Sequence, residues 1–330
     1  MSQGSGGGNV QGRPVGVAAG VAVADAQVLA AARELLAARG LREPGSPACA
    51  RPDWWGELLV GGARPVIAVA TTGADAVACA AQTQAAQAAG ADLVELRADL
   101  LAACSAAVAP EALARETLRV VEAVTATTAA VTAGGAVGGA GGMLPVLLTF
   151  RTGAEGGGLA VDDAAYAALL GAVLAGLARG VTAVAAVDVE LARGCLPQIA
   201  RQAAAQGIAV VGSSHDFQQV PPDAVLLERL RQMQAGGAQV AKIAVMPAEP
   251  EEVVRLLALT VQARAELEVP VVVIGMGELG AITRLQGWRM GSALSFATAG
   301  ACASAPGQLP VAVVRAAATA SGTGVGDAQA

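Results

Sequence analysis

Lys242 is the one lysine in this chain. Lys and Arg together number 21, so the remaining 21 − 1 = 20 cations are arginines. Arginine can replace lysine as a surface cation, but not where a deprotonated amine must attack carbon, because a guanidinium stays charged. Lys242 is therefore a candidate nucleophile, weighed against a residual surface lysine. It lies among Val240, Ala241, Ile243, Ala244 and Val245, and a lysine inside such a strand is desolvated, which frees an amine's lone pair. A buried Lys–Glu pair is the structural alternative, although an arginine would serve that purpose in this chain. His215 is the one histidine and precedes Asp216. It reads either as a packed core residue or as a general acid/base whose charge changes near neutral pH. The two together suit one chemistry. A ketone condensed with lysine becomes an electron sink, a base removes the neighbouring proton, and a β-hydroxyl leaves as water.

Elements must bring these residues together. From Trp54 onward, apolar β-branched runs alternate with helical patterns. Strands are expected over 65–70, 92–97, 145–150, 182–189, 208–213, 239–245, 270–274 and 292–296. Helices are expected over 74–89, 110–125, 162–179, 196–206, 223–234, 249–267, 279–286 and 309–318. Eight βα units over about 265 residues match the ~250 of a TIM barrel, and continuous apolar strands suit a parallel sheet covered by helices. A doubly wound sheet fits the alternation nearly as well, but unit count and length favour the single-domain α/β (β/α)8 TIM barrel.

Residues 1–53 are expected to form a flexible Gly/Ala-rich N-terminal extension and linker, with a short helix at 28–39, and residues 54–330 the barrel domain. The glycine-rich insert 134–142 is expected to be a mobile loop.

In such barrels chemistry sits at the C-terminal strand ends. Glu95 and Arg97 end the second expected strand, and Arg151 follows the third with Glu155 in the next loop. Asp188 and Glu190 close the fourth, and Ser213, Ser214, His215 and Asp216 follow the fifth. Lys242 lies in the sixth, Arg284 beyond the seventh, and Ser304 and Gln308 beyond the eighth. Independent surface charges would scatter over the helices instead.

Composition excludes several classes. A net charge of −6 without basic runs offers little to a phosphate backbone, so no nucleic-acid partner is expected. No apolar stretch is long enough to span a membrane. Five cysteines, odd in number and without CxxC spacing, argue against a disulfide framework or a zinc site and suit a reducing compartment. A cytoplasmic protein is expected, with organelle targeting by the N-terminal extension left open.

The stretches ELRAD (95–99), TFRTGAEGG (149–157), SSHDF (213–217), AKIAVMP (241–247) and SAPGQL (304–309) resemble the type I 3-dehydroquinate dehydratases in content, order and spacing. The resemblance runs from about Arg64 to the end. It implies a (β/α)8 barrel, a homodimer, a place in the shikimate or quinate pathway, 3-dehydroquinate as substrate, and no metal or organic cofactor. By that resemblance Lys242 is the Schiff-base lysine, His215 the general acid/base, and Glu155 its tuning partner. Glu95, Arg97 and Arg151 look like a polar ring around the substrate, Arg284 like the partner of its carboxylate, and Ser304 and Gln308 like closing-loop contacts. Ala70, Thr71 and Thr72 stand where the family often has Ser or a similar polar residue, which leaves that contact open.

Two other functions are weighed: another class I Schiff-base enzyme such as an aldolase, and a barrel that senses the same ligand without turnover. The SHDF and SAPGQ pairing speaks against the first, and the retained Lys, His and Glu against the second. Gly275-Met276-Gly277-Glu278-Leu279-Gly280 spells GxGxxG after a strand. A dinucleotide site would need an acidic residue about twenty positions on, and AGACASAPG lies there instead.

Overall fold

Residues alternate along each strand between two apolar environments, and this alternation makes the barrel. In a computed structural model, which describes residues 15–105, 109–130, 143–177, 183–300 and 303–319, the main strands are β3 (Val66–Thr71), β4 (Leu93–Arg97), β5 (Val146–Thr149), β6 (Val184–Glu190), β7 (Ala209–Asp216), β8 (Val240–Val245), β9 (Val271–Gly275) and β10 (Leu294–Thr298). All pair in parallel in the order β10-β3-β4-β5-β6-β7-β8-β9. A bridge from Val271 to Ser292, with the Ala293 amide donating to the Val271 carbonyl at 2.8 Å, joins the last strand to the first and closes the ring. The (β/α)8 barrel expected from the unit count is the fold.

One set of strand residues faces inward. Val66, Ala68, Leu93, Leu147, Ala186, Ala209, Val211, Val240, Ala244, Val272, Ile274, Leu294 and Phe296 share one buried cluster. The intervening residues, such as Ile67, Leu96, Leu148, Val187, Val210, Ile243 and Val273, pack outward on the helices. Those helices are α2 (Ala76–Ala88), α3 (Pro110–Ala130), α4 (Asp163–Leu177), α5 (Leu196–Ala204), α6 (Asp223–Ala235), α7 (Pro250–Glu266), α8 (Ala281–Gln286) and α9 (Val311–Thr319). The periodicity of two places Lys242 inward with Val240 and Ala244.

Elements absent from the sequence reading finish the body. An antiparallel hairpin, β1 (Asp53–Trp55) and β2 (Leu58–Val60), drives the fully buried Trp55 and Val60 into the inward-facing cluster and plugs the barrel's N-terminal mouth. A short strand, β11 (Leu309–Pro310), pairs with β10 just before α9.

The expectation of a flexible extension is corrected where the structure describes it. Helix α1 (Val15–Ala38) docks on α7, with Ala32 and Leu36 buried against Leu257, Ala258, Val261 and Met290. The anchored stripe is Val28, Ala32, Leu35 and Leu36, spaced at three to four residues, so it can bury apolar area that a glycine-rich tail could not. Two ion pairs tie the following linker: Glu43 receives Arg33 at 2.7 Å and Arg289 at 3.0 Å. Residues 1–14 and the insert 134–142 lie outside the described residues. No described helix is long and apolar enough to cross a membrane.

Candidate active site

Above the apolar floor, the inward positions of the same strands turn polar. Going up β4 the inward series is Leu93, Glu95, Arg97; on β6 it is Ala186, Asp188, Glu190; on β7 it is Val211, Ser213, His215. A pocket opens there, lined by Glu95, Arg97, Arg151, His215, Lys242, Arg284, Ser304 and Gln308 together with Gly156, Phe217, Ala244, Ile274, Met276, Phe296 and Ala305. Eight of the nine residues singled out from the sequence thus face one cavity. The ninth, Glu155, stands directly behind His215. Ala70, Thr71 and Thr72 are not among the lining residues.

Lys242 is 3% exposed. Its ammonium donates to Asp188 at 2.9 Å, lies 3.9 Å from Glu95, and stands 5.1 Å from the centre of the Phe296 ring. Asp188 is completely buried and also accepts from Ser213 Oγ. Glu95 in turn accepts from Thr149 Oγ1 at 2.9 Å. The amine is therefore held by a buried carboxylate and lines the pocket.

His215 is also buried. Its ring Nδ1 lies 2.7 Å from Glu155 Oε2, and its Nε2 has no partner. Burial first, then the charges of Arg151, Lys242 and Arg97, hold the imidazole well below its ordinary pKa. Burial, reinforced by the nearby Glu190 carboxylate, pushes Glu155 up to about 8. With Nδ1 committed to Glu155, the free Nε2 is the nitrogen that can exchange protons with a ligand.

The loop holding Glu155 folds tightly after β5. Gly157 has no room for a side chain: an added Cβ would lie 2.1 Å from the Arg151 carbonyl oxygen. Glu190 clasps the loop's start, accepting from the Thr152 amide at 2.8 Å and its hydroxyl at 2.6 Å. It also lies 3.6 Å from Arg151. The GAEGG spelling is thus a device for placing one carboxylate behind one imidazole.

Two arginines differ in what they have left to offer. Arg97 makes a two-pronged bond to Asp99, at 2.8 Å on each arm. Burial works against its charge, but the Asp99 hydrogen bond and charge more than offset this and raise its pKa. Arg284 has no carboxylate partner among the described ion pairs. It gives Nη2 to the Pro306 carbonyl at 3.2 Å, and its Nε is unpartnered. Burial alone lowers its pKa to about 10. A buried, still charged guanidinium with spare donors facing a pocket is a receptor for an anion, most naturally a carboxylate.

Asp188, Glu190, Asp99, Thr149 and Ser213 belong to this network. The sequence signalled three of them, Asp188, Glu190 and Ser213, only as polar residues at strand ends, without saying which partner each would hold. Among the described residues, no three His, Cys, Asp or Glu side chains converge as a metal cluster.

The matched family model is that of type I 3-dehydroquinase, over residues 67–324. The chain is 41% identical over 176 residues to the 3-dehydroquinate dehydratase of Geobacillus kaustophilus, covering 53% of this chain and 66% of that protein. It is 34% identical over 228 residues to that of Neisseria gonorrhoeae, covering 68% and 80%. The alignments with the Geobacillus and Lactiplantibacillus plantarum relatives thus span just under two thirds of those proteins' length. The crystal structure of the Geobacillus kaustophilus enzyme superposes with a TM-score of 0.70 at 31% identity, covering 85% of this chain and 98% of that one. A type I 3-dehydroquinate dehydratase structure from Clostridium difficile, with covalently modified comenic acid, gives the same score at 25% identity, covering 82% and 97%. Motifs, barrel, pocket and family match agree: this chain belongs to the type I 3-dehydroquinase family.

Proposed function

We propose that the chain dehydrates 3-dehydroquinate to 3-dehydroshikimate through a Schiff base on Lys242. The observation that carries this reading is the pairing, across one pocket, of an inward-facing buried amine whose proton has Asp188 as acceptor with an imidazole whose Nε2 is free.

The proposed steps use these residues in turn. Arg284 takes the substrate carboxylate, and Glu95, Arg97, Arg151, Ser304 and Gln308 receive its hydroxyl groups. Lys242 Nζ, having passed a proton to Asp188, adds to the ketone carbon. The carbinolamine loses water to give an iminium, whose cation sits where the ammonium had been and faces Asp188 and Glu95. His215 Nε2 removes the proton from the carbon next to the iminium, and the C–H electron pair moves in to form an enamine. The enamine expels the β-hydroxyl, which takes the proton from His215 and leaves as water. Hydrolysis of the conjugated iminium then returns the amine and releases the ketone. Glu155 holds the imidazole throughout and compensates its transient charge.

Residues 54–330 form the catalytic unit in this proposal, with α1 a bracket on its flank. The family resemblance supports a homodimer serving the shikimate or quinate route, and five cysteines without CxxC spacing suit a cytoplasmic setting. An aldolase-type reaction would need a carbon–carbon bond to break next to the iminium. The free base of His215, poised beside the lysine, favours proton abstraction instead. Incubation with 3-dehydroquinate and borohydride, followed by peptide mass mapping, tests the reading: a reduced adduct on Lys242 is expected, together with enone absorbance in the unreduced reaction. Absence of both would reject it.

A further inference from the structure

The turn Gly275–Gly280 has the spelling of a dinucleotide motif without its surroundings, and the chemistry above makes no use of it. Its three glycines have distinct jobs here. Gly275 and Gly280 press backbone on backbone: a Cβ on Gly280 would lie 2.2 Å from the Gly275 carbonyl carbon, and one on Gly275 would lie 2.8 Å from Gly280 Cα. Thr283 pins this fold-back, its Oγ1 accepting from the Gly275 amide at 2.9 Å and donating to the Gly280 carbonyl at 2.7 Å. The middle glycine, Gly277, has φ +71° and presents bare backbone to another segment.

That segment is the strap 303–308. The Gly277 amide donates to the Pro306 carbonyl at 3.3 Å. Gly307, at φ +76°, lies so close that an added Cβ would stand 2.1 Å from the Gly277 carbonyl oxygen and 2.7 Å from its carbon. The strap carries Ser304 and Gln308, which bond each other (Nε2 to Oγ, 2.9 Å) and line the pocket. Two pocket arginines hold it as well: Arg97 reaches the Ser304 carbonyl at 3.4 Å and Arg284 the Pro306 carbonyl at 3.2 Å.

We infer that Gly277 and Gly307 form a two-glycine seat that fixes the strap over the pocket, and that both are positioning residues for Ser304 and Gln308. The inference deepens the proposed dehydration site and rests on that reading. Any side chain at 307 meets rigid backbone, so the strap must stand off by roughly an ångström, a displacement able to cost on the order of 10²-fold when it moves groups that grip a substrate. The Pro306 carbonyl also links the seat to Arg284, so a ligand anion on Arg284 and the seated strap share one guanidinium.

The test compares Gly307→Ala with Gly300→Ala in the full chain. Gly300, at φ +108°, has open space around its Cβ position, so its substitution brings backbone strain without the collision. In amide hydrogen exchange without ligand, peptides spanning 275–283 and 303–310 should exchange faster in Gly307→Ala than in Gly300→Ala or the parent. With 3-dehydroquinate, Gly307→Ala should raise KM about tenfold or more, while borohydride still traps substrate on Lys242 at saturation. Gly277→Ala, which strains the φ +71° backbone that the strap rests on and brings a Cβ to 3.2 Å from Met246 Sδ without touching the strap, should loosen the same two peptides and serves if Gly307→Ala does not fold. Exchange and KM in both seat variants matching Gly300→Ala would overturn the inference. If the parent chain leaves 3-dehydroquinate unchanged yet the exchange pattern appears, the substrate reading falls and the seat stands.

Discussion

Glu155 binds His215 twice with a single oxygen: Oε2 lies 2.7 Å from the ring Nδ1 and accepts from the His215 backbone amide at 3.0 Å. The carboxylate thereby fixes both the strand end and the ring that grows from it. The ring cannot turn without giving up a buried bond, and Nε2 stays aimed at the pocket.

This pairing sets a pH dependence. Glu155 has its pKa raised to about 8 by burial and the Glu190 charge, while burial and the cations Arg151, Lys242 and Arg97 lower His215. Below about 8 the pair gains a proton. A protonated Glu155 then donates to Nδ1, the ring's own proton moves to Nε2, and the base is lost. kcat/KM is expected to rise with pH through this region and level off above it. Glu155→Gln cannot titrate, so its profile should lose that limb, with kcat lower by roughly 10²-fold. A Glu155→Gln profile that still bends near 8 would assign the titration elsewhere.

In the proposed mechanism His215→Ala removes the proton-transfer group and leaves the nucleophile. Turnover should drop by about 10²–10⁴-fold. Borohydride should still trap a substrate adduct, formed more slowly. Loss of trapping together with turnover would mean that His215 acts in adduct formation first.

Lys242→Met and Lys242→Arg should both abolish turnover and trapping, because neither side chain can condense with a ketone. Since the chain has one lysine, the mass of the adduct peptide is unambiguous once the N-terminal amine is blocked. Dehydration by Lys242→Met at a rate near that of the parent would end the Schiff-base proposal.

Arg284→Ala should weaken substrate binding. A charged hydrogen-bond partner is worth about 1.5–3 kcal/mol, or roughly 10- to 150-fold in KM. The variant also frees the Pro306 carbonyl, so a smaller fall in kcat should accompany the change. An unchanged KM would remove Arg284 from the carboxylate site.

Leu36→Ala tests the docking of α1. Leu36 is 1% exposed and packs in a cluster with Leu257 and Val261. Emptying such a site costs about 2–5 kcal/mol, read as a lower urea midpoint. An unmoved midpoint would show α1 to be dispensable to the barrel's stability.

Periodicity by itself determined the eight βα units of this protein. Strand runs such as Val271–Gly275 and helices such as Asp223–Ala235 are dictated by local pattern and flanking glycines, and they fall within a few residues of where the pattern puts them. Lys242 and His215 were legible for a different reason: each is alone of its kind, so no surface role competes for it. Which carboxylate serves which partner was decided only by tertiary structure. Asp188 and Glu190 are alike in sequence and sit two residues apart on β6. Asp188 meets Lys242 and Ser213, whereas Glu190, one step higher, holds Thr152 and lies near Arg151. The strand-to-strand register of the closed sheet makes that choice, and no local pattern carries it. The same holds for α1, whose modest apolar stripe gains its meaning from a matching face on α7. It holds also for Gly277 and Gly307, which are distant in sequence and touch because β9 and β10 are neighbours where the barrel closes.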